Sequence, residues 1–365
     1  MRTADVNFPI LSRKILWIPL GIAVLAIFWD RLLSSEWVRP YTESGAEYYF
    51  YEMKGRILDT MKRETDSKSP KEKVLTFFGT SHMGEISLTE IHRENPDLIV
   101  YNLSAPSAPY SFHNYTLERL LDRKIPLDYA ILEYYPDSAT DFANRFALRY
   151  SYDSSYFLEH WKVFSTNDWD TFLKSRVFRT SIFPPRFKEA LSRIKRPEEL
   201  AYLMAIRSKL KDESDRFKGG IPNALLANTP EDKLDSESER IYRDTYRNFR
   251  RSDVQVAFLK EFIRRASAKG IKVVLWSPLL YSKLTEKVRQ SPFYADWTKL
   301  RQELVAEFPE TLVLDLEEFR NRVGCQKFID PHHLSGGCFE EPTKILISFL
   351  EEKAGLNKSM GSKTR

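Results

Sequence analysis

Cysteine is nearly missing from this chain: 365 residues hold two, Cys325 and Cys338. That excludes a disulfide-dense scaffold and a cysteine-built zinc module. An excess of one charge is missing too. The 56 Lys and Arg against 51 Asp and Glu leave a net +5, too mild to argue for nucleic acid, and no zinc-finger or RNP-like pattern occurs. No repeat appears at solenoid periods and no tract is of low complexity. What is present is 42% hydrophobic residues, enough to bury a substantial core. The length gives room for one large α/β domain with an insertion, or for two modest domains.

Long apolar runs are scarce, and one stands apart. Residues 15–29 read ILWIPLGIAVLAIFW, preceded by Arg2, Arg13 and Lys14 and followed by Asp30 and Arg31. Fifteen residues fall below the roughly 17–25 that span a bilayer core unless the neighbours help. A cleaved secretory signal would need a small-x-small site after the run, and none follows. The expectation is an uncleaved signal anchor over 1–34: a single-pass helix in the cytoplasmic (inner) membrane, with the rest of the chain periplasmic or otherwise extracytoplasmic. A core helix is the alternative. In an oxidising compartment Cys325 and Cys338 would pair; two buried thiols are the other reading.

Short apolar runs at 74–78, 97–102, 128–134, 271–276 and 311–316 read as buried strands. Amphipathic stretches at 88–93, 116–123, 254–269, 295–308 and 341–353 read as helices, as does 46–63. The alternation predicts an α/β/α sandwich of flavodoxin-like type on a five-stranded parallel sheet. The expected division is an anchor over 1–34, a helical linker over 35–73, an α/β domain from 74–136 and 253–356, a helical insertion over 137–252, and a disordered tail over 357–365. Within the insertion, residues 145–211 carry 14 basic and 7 acidic side chains. It is either a cap able to attract an anionic or polyhydroxyl substrate or an ordinary solvated subdomain.

After the first strand comes Gly79-Thr80-Ser81-His82-Met83-Gly84-Glu85. Ligands of open α/β sheets bind beyond the strands' carboxyl ends, so Ser81 on this turn can project its hydroxyl into the crevice. Backbone N–H groups of the turn can face a developing oxyanion. Ser81 could instead merely cap a helix, but Ser87-Leu88-Thr89-Glu90 offers a capping box downstream. Near the other end lies Asp330-Pro331-His332-His333-Leu334-Ser335. Serine needs a base to take its proton, histidine suits that work, and a carboxylate fixes the histidine's tautomer. Ser81, Asp330 and His333 are therefore the catalytic candidates, with His332 as rival base. Two histidines beside an aspartate can also be metal ligands, yet no third cluster stands at ligand spacing, so no metal and no cofactor is expected. His82, Glu85 and His332 are candidate substrate contacts or simply nearby loop residues.

A strand ending in Gly-x-Ser, with Asp-x-x-His followed by Leu-Ser near the C-terminus, resembles blocks I and V of the SGNH (GDSL-type) hydrolases. The likeness covers about 74–135 and 254–353. Thr80 stands where the larger superfamily has Asp, as in its envelope O-acyltransferases, which include alginate acetylation and teichoic-acid D-alanylation proteins. The resemblance implies an acyl-Ser enzyme acting on a cell-envelope polysaccharide or glycolipid beside a multi-spanning membrane O-acyltransferase. It also implies oxyanion donors at Ser81 and Ser107, the latter in place of the block II glycine. The third strand ends Glu133-Tyr134-Tyr135-Pro136-Asp137 and carries no block III Asn. Acyl transfer, plain ester hydrolysis and a non-catalytic envelope binding or assembly protein on the same scaffold all remain open.

Overall fold

A computed structural model describes residues 13–43, 47–221 and 227–357. The chain forms two compact units. One joins Met1–Gly45 to Trp169–Met204, the other Ala46–Asp168 to Ala205–Arg365.

The first unit is helical among its described residues, with helices at Arg13–Leu33, Arg39–Thr42, Arg179–Ile182 and Phe187–Lys195. Asp30, the charge that ends the apolar run, is buried. It accepts hydrogen bonds from the backbone N–H groups of Arg179 (3.0 Å) and Thr180 (2.9 Å) and from the Thr180 hydroxyl (2.7 Å). The Arg193 guanidinium donates to the carbonyls of Tyr41 (2.8 Å) and Glu43 (2.7 Å). The expected anchor finds no support among the described residues. The apolar run does form a helix, but Pro19 lies inside it, and no helix among the described residues is long and apolar enough to cross a membrane. Fifteen apolar residues span only about 22 Å at the helical rise, short of a 30 Å hydrocarbon core. Residues 1–12 lie outside the described part, as does nearly all of the expected tail.

The second unit holds the sheet. Strands β1 (Lys73–Phe78), β2 (Leu98–Asn102), β3 (Tyr129–Glu133), β4 (Lys272–Ser277) and β5 (Leu312–Asp315) are all parallel, in the order β2-β1-β3-β4-β5. β1 and β3 are buried almost throughout, which is why they read as unbroken apolar runs. Leu75, Phe77, Ile131, Val274 and Leu314 enter one core with Met83, Phe328 and Leu346. The order reverses at β1. β2 lies on one side and β3 on the other, leaving a crevice at the carboxyl ends of β1 and β3 where open sheets take their ligands.

The long connection from β3 to β4 contains helices and no strand among its described residues. It is not one body. Residues Trp169–Met204 belong to the first unit, while the stretches before and after them belong with the sheet.

A small antiparallel hairpin follows β5. β6 (Phe328–Asp330) pairs with β7 (His333–Leu334), and its register sets Asp330 directly across from His333. Cys325 and Cys338 form a disulfide, with Cα atoms 5.1 Å apart, that closes the hairpin's base.

Candidate active site

Ser81 opens the turn that leaves β1. Thr80 precedes this turn in extended conformation, and Ser81–Gly84 make a single helical turn. Gly79 is required by close approach: a Cβ there would stand 2.5 Å from the Glu133 Oε2 and 2.7 Å from the Met83 sulfur. The hydroxyl of Ser81 lies 2.7 Å from His333 Nε2. His333 Nδ1 lies 2.9 Å from each carboxylate oxygen of Asp330. Asp330 Oδ1 also accepts the backbone N–H groups of His332 (2.8 Å) and His333 (3.0 Å). The three expected residues are thus brought into one hydrogen-bonded chain, and Ser81 caps nothing. The helix cap is Ser87, whose hydroxyl accepts the Glu90 N–H at 3.2 Å.

The tautomer follows from this geometry. An ionised carboxylate only accepts, so His333 Nδ1 carries a proton toward Asp330 and Nε2 is left to receive the one from Ser81. Burial would raise the Asp330 carboxyl, but the hydrogen bond and charge of His333 hold it down at about 2. His332, the rival base, points elsewhere. Its Nε2 lies 3.4 Å from the Tyr246 hydroxyl, and burial, with the charges of His82 and His333, pushes it down to about 3.

Beneath the serine turn lies a network that motif reading missed. Glu133, at the end of β3, is fully buried. One oxygen accepts the Thr80 N–H at 2.5 Å; the other accepts the Thr80 hydroxyl at 3.0 Å and lies 2.7 Å from His82 Nδ1. Burial would favour the uncharged forms of both side chains. The mutual attraction of Glu133 and His82 outweighs it, lowering the glutamate and raising the histidine. The His82 ring stacks on His333, with centroids 4.7 Å apart and planes 18° apart, and meets Tyr135 edge-on. Burial pushes the nearby Asp137 carboxyl up to about 6. Glu133 had one sequence signal, a lone charge ending a strand that is otherwise apolar. Tyr246, which meets the Tyr135 hydroxyl through its own, had none.

Ser81, His82, Glu85, His332 and His333 all line one small pocket, walled by Trp276, Leu279, Leu316, Leu334 and Phe339. Ser107 is not among its lining residues. It is exposed, with φ 52°, on the loop after β2. A larger pocket shares the Pro278 wall and is lined by Tyr135, Tyr246, Phe293, Arg289 and Arg301 among others. Elsewhere Glu118, Glu159 and His160 converge closely enough to hold a cation, but the Arg265 guanidinium already sits 2.8 Å from Glu118 and 3.7 Å from Glu159.

Fold and site together define an α/β protein with a serine, histidine and aspartate aligned at the carboxyl ends of its strands. Residues 10–350 match the model of the family described as "Protein of unknown function (DUF1574)", and the chain belongs to that family. No curated protein matches it.

Proposed function

We propose that this chain is an SGNH-type serine acyltransferase or esterase acting on an ester of a cell-envelope carbohydrate or polymer. The observation that carries the reading is the unbroken chain from Ser81 Oγ through His333 to Asp330. The strand order, the one found in flavodoxin-like sheets, and the position of Ser81 after β1 agree with it.

His333 Nε2 takes the hydroxyl proton as Ser81 Oγ bonds the acyl carbon, and the carbonyl electron pair moves to its oxygen. Collapse expels the leaving group, which receives that proton from the His333 imidazolium, and leaves an acyl-Ser81 ester. A hydroxyl of the acceptor, or water, then repeats the sequence in reverse. In this reading the acceptor group enters by the larger pocket beyond Pro278. Membrane attachment through the Arg13–Leu33 helix and an extracytoplasmic site beside a multi-spanning acyltransferase belong to the same proposal. The helix supports it by exposing Trp17, Ile18, Ile22 and Leu25, each more than half open to its surroundings.

A fluorophosphonate probe tests the reading. Ser81 of the full-length chain becomes labelled, Ser81→Ala is not, and Asp330→Asn slows labelling by about 10⁴-fold because the histidine loses its tautomer. A second reading, a non-catalytic binding protein, is favoured by one observation: Glu133, which can only accept, ends the strand where a donor would stand. Absence of labelling in the native chain would decide for it.

A further inference from the structure

Glu85 is the least accommodated group in the protein's candidate site. It is 1% exposed, and neither carboxyl oxygen has a hydrogen-bond partner. It lies four residues after Ser81 at the end of the same helical turn, so both side chains face one side and both line the same cavity. The titratable groups facing it there are His82, His332 and His333, with the negative field of Asp330 behind them; no Lys or Arg lines the cavity. Its other walls are apolar. An ionised carboxylate in such a place lacks water, and the nearest cationic group, His82, is already paired with Glu133, so the group holds its proton, and burial together with Asp330 pushes it up to about 9. A protonated carboxyl is a hydrogen-bond donor. A buried carboxylic acid kept neutral in an apolar site is a known form of oxyanion donor.

The site needs such a donor. Glu133 occupies the end of β3, and both its oxygens are engaged as acceptors from Thr80 and His82. Ser107 does not line the cavity. We propose that Glu85, as an uncharged carboxylic acid, donates a hydrogen bond to the carbonyl oxygen of the acyl group held at Ser81. It thereby supplies from the serine's own turn the stabilisation that β3 does not. The inference rests on the acyl-Ser reading above. It goes further in assigning the donor.

The test compares the full-length chain with Ser81→Ala, Glu85→Gln and Glu85→Met, using p-nitrophenyl acetate hydrolysis, fluorophosphonate labelling and Tm. Gln keeps an N–H donor in the same shape, and Met keeps volume without one. Glu85→Gln retains most of the rate; Glu85→Met loses about 10²-fold or more, the usual effect of deleting an oxyanion donor, while its Tm stays level or rises. Hydrolysis undiminished in Glu85→Met, equal losses in Gln and Met, or losses found only where Tm falls would each overturn the donor role. Labelling of Ser81 alongside any of those results leaves the acyl-Ser reading standing. No labelling of the native chain removes both.

Discussion

At the scale of single residues, the site divides into groups that are satisfied and one that is not. Glu85 holds its proton to about 9 in the folded chain, against an ordinary value of 4.5. Between those values the folded state binds a proton that the unfolded state has released, so Glu85 makes stability fall as pH rises through that window. Glu85→Met removes the slope. Its Tm advantage over the native chain is expected to be smallest near pH 4.5 and to grow toward pH 9, read from melts across that range. The opposite slope of Asp330, lost as pH falls toward about 2, is common to both proteins and cancels. Glu133 behaves in the other sense. Glu133→Leu strands the Thr80 N–H and leaves His82 without its counter-charge, so denaturant unfolding should show a loss of about 3–5 kcal/mol. The triad was legible because Asp-x-x-His puts its two side chains across one hairpin, and because serine after a first strand has few other duties. Glu133 was not, because its engagement with Thr80 and His82 depends on how β1 and β3 pair.

Elements explain why those residues hold their places. The expected strands lie within a residue or two of the observed ones at each end, since buried parallel strands leave unbroken apolar runs. The helix Tyr110–Asp122 was legible only from residue 116 onward. Its first turns carry Ser111, His113 and Asn114, all buried, which carry no apolar periodicity. They are internal because the β3–β4 connection covers them: the Tyr156 hydroxyl donates to the Ser111 carbonyl at 2.8 Å, and Gln255 accepts the Ser111 N–H at 2.9 Å. No local pattern announces a partner more than 40 residues away. Two elements have direct tests. The Cys325–Cys338 disulfide closes a loop of thirteen residues' separation around the hairpin carrying Asp330 and His333. Replacing both by serine should cost about 3 kcal/mol in denaturant unfolding and slow probe labelling of Ser81, since the hairpin is no longer tied at its base. Gly79→Ala drives a methyl group against the Glu133 side chain. It should lower both Tm and labelling, and a Tm equal to the native value would show that the turn relaxes without consequence.

For the whole molecule, the sequence suggested an anchor, a linker, a sheet domain and one insertion, and the division is different. The insertion is split, with its middle residues sharing a unit with the Arg13–Leu33 helix. Sequence separation hid this: Asp30 finds its partners about 150 residues away. The apolar run was legible as a helix, but its length sits below the spanning requirement and its far end is tied by Asp30 within protein. What remains is an apolar surface with no cover among the described residues. Ile18, Ile22 and Leu25 recur at helical spacing on one face and are each more than half exposed. A surface of that kind on a helix costs solubility unless something apolar covers it. If the proposed envelope site is held at a lipid surface, this face is the contact. The full-length chain should then float with phospholipid vesicles, and the triple change Ile18→Asp, Ile22→Asp and Leu25→Asp should leave it in the aqueous fraction. Because those side chains are open rather than packed in the core, Tm and fluorophosphonate labelling of Ser81 should stay near native. Flotation undiminished by the triple change would remove this helix from the membrane proposal without touching the triad, whereas loss of labelling together with flotation would show that the face packs on protein instead.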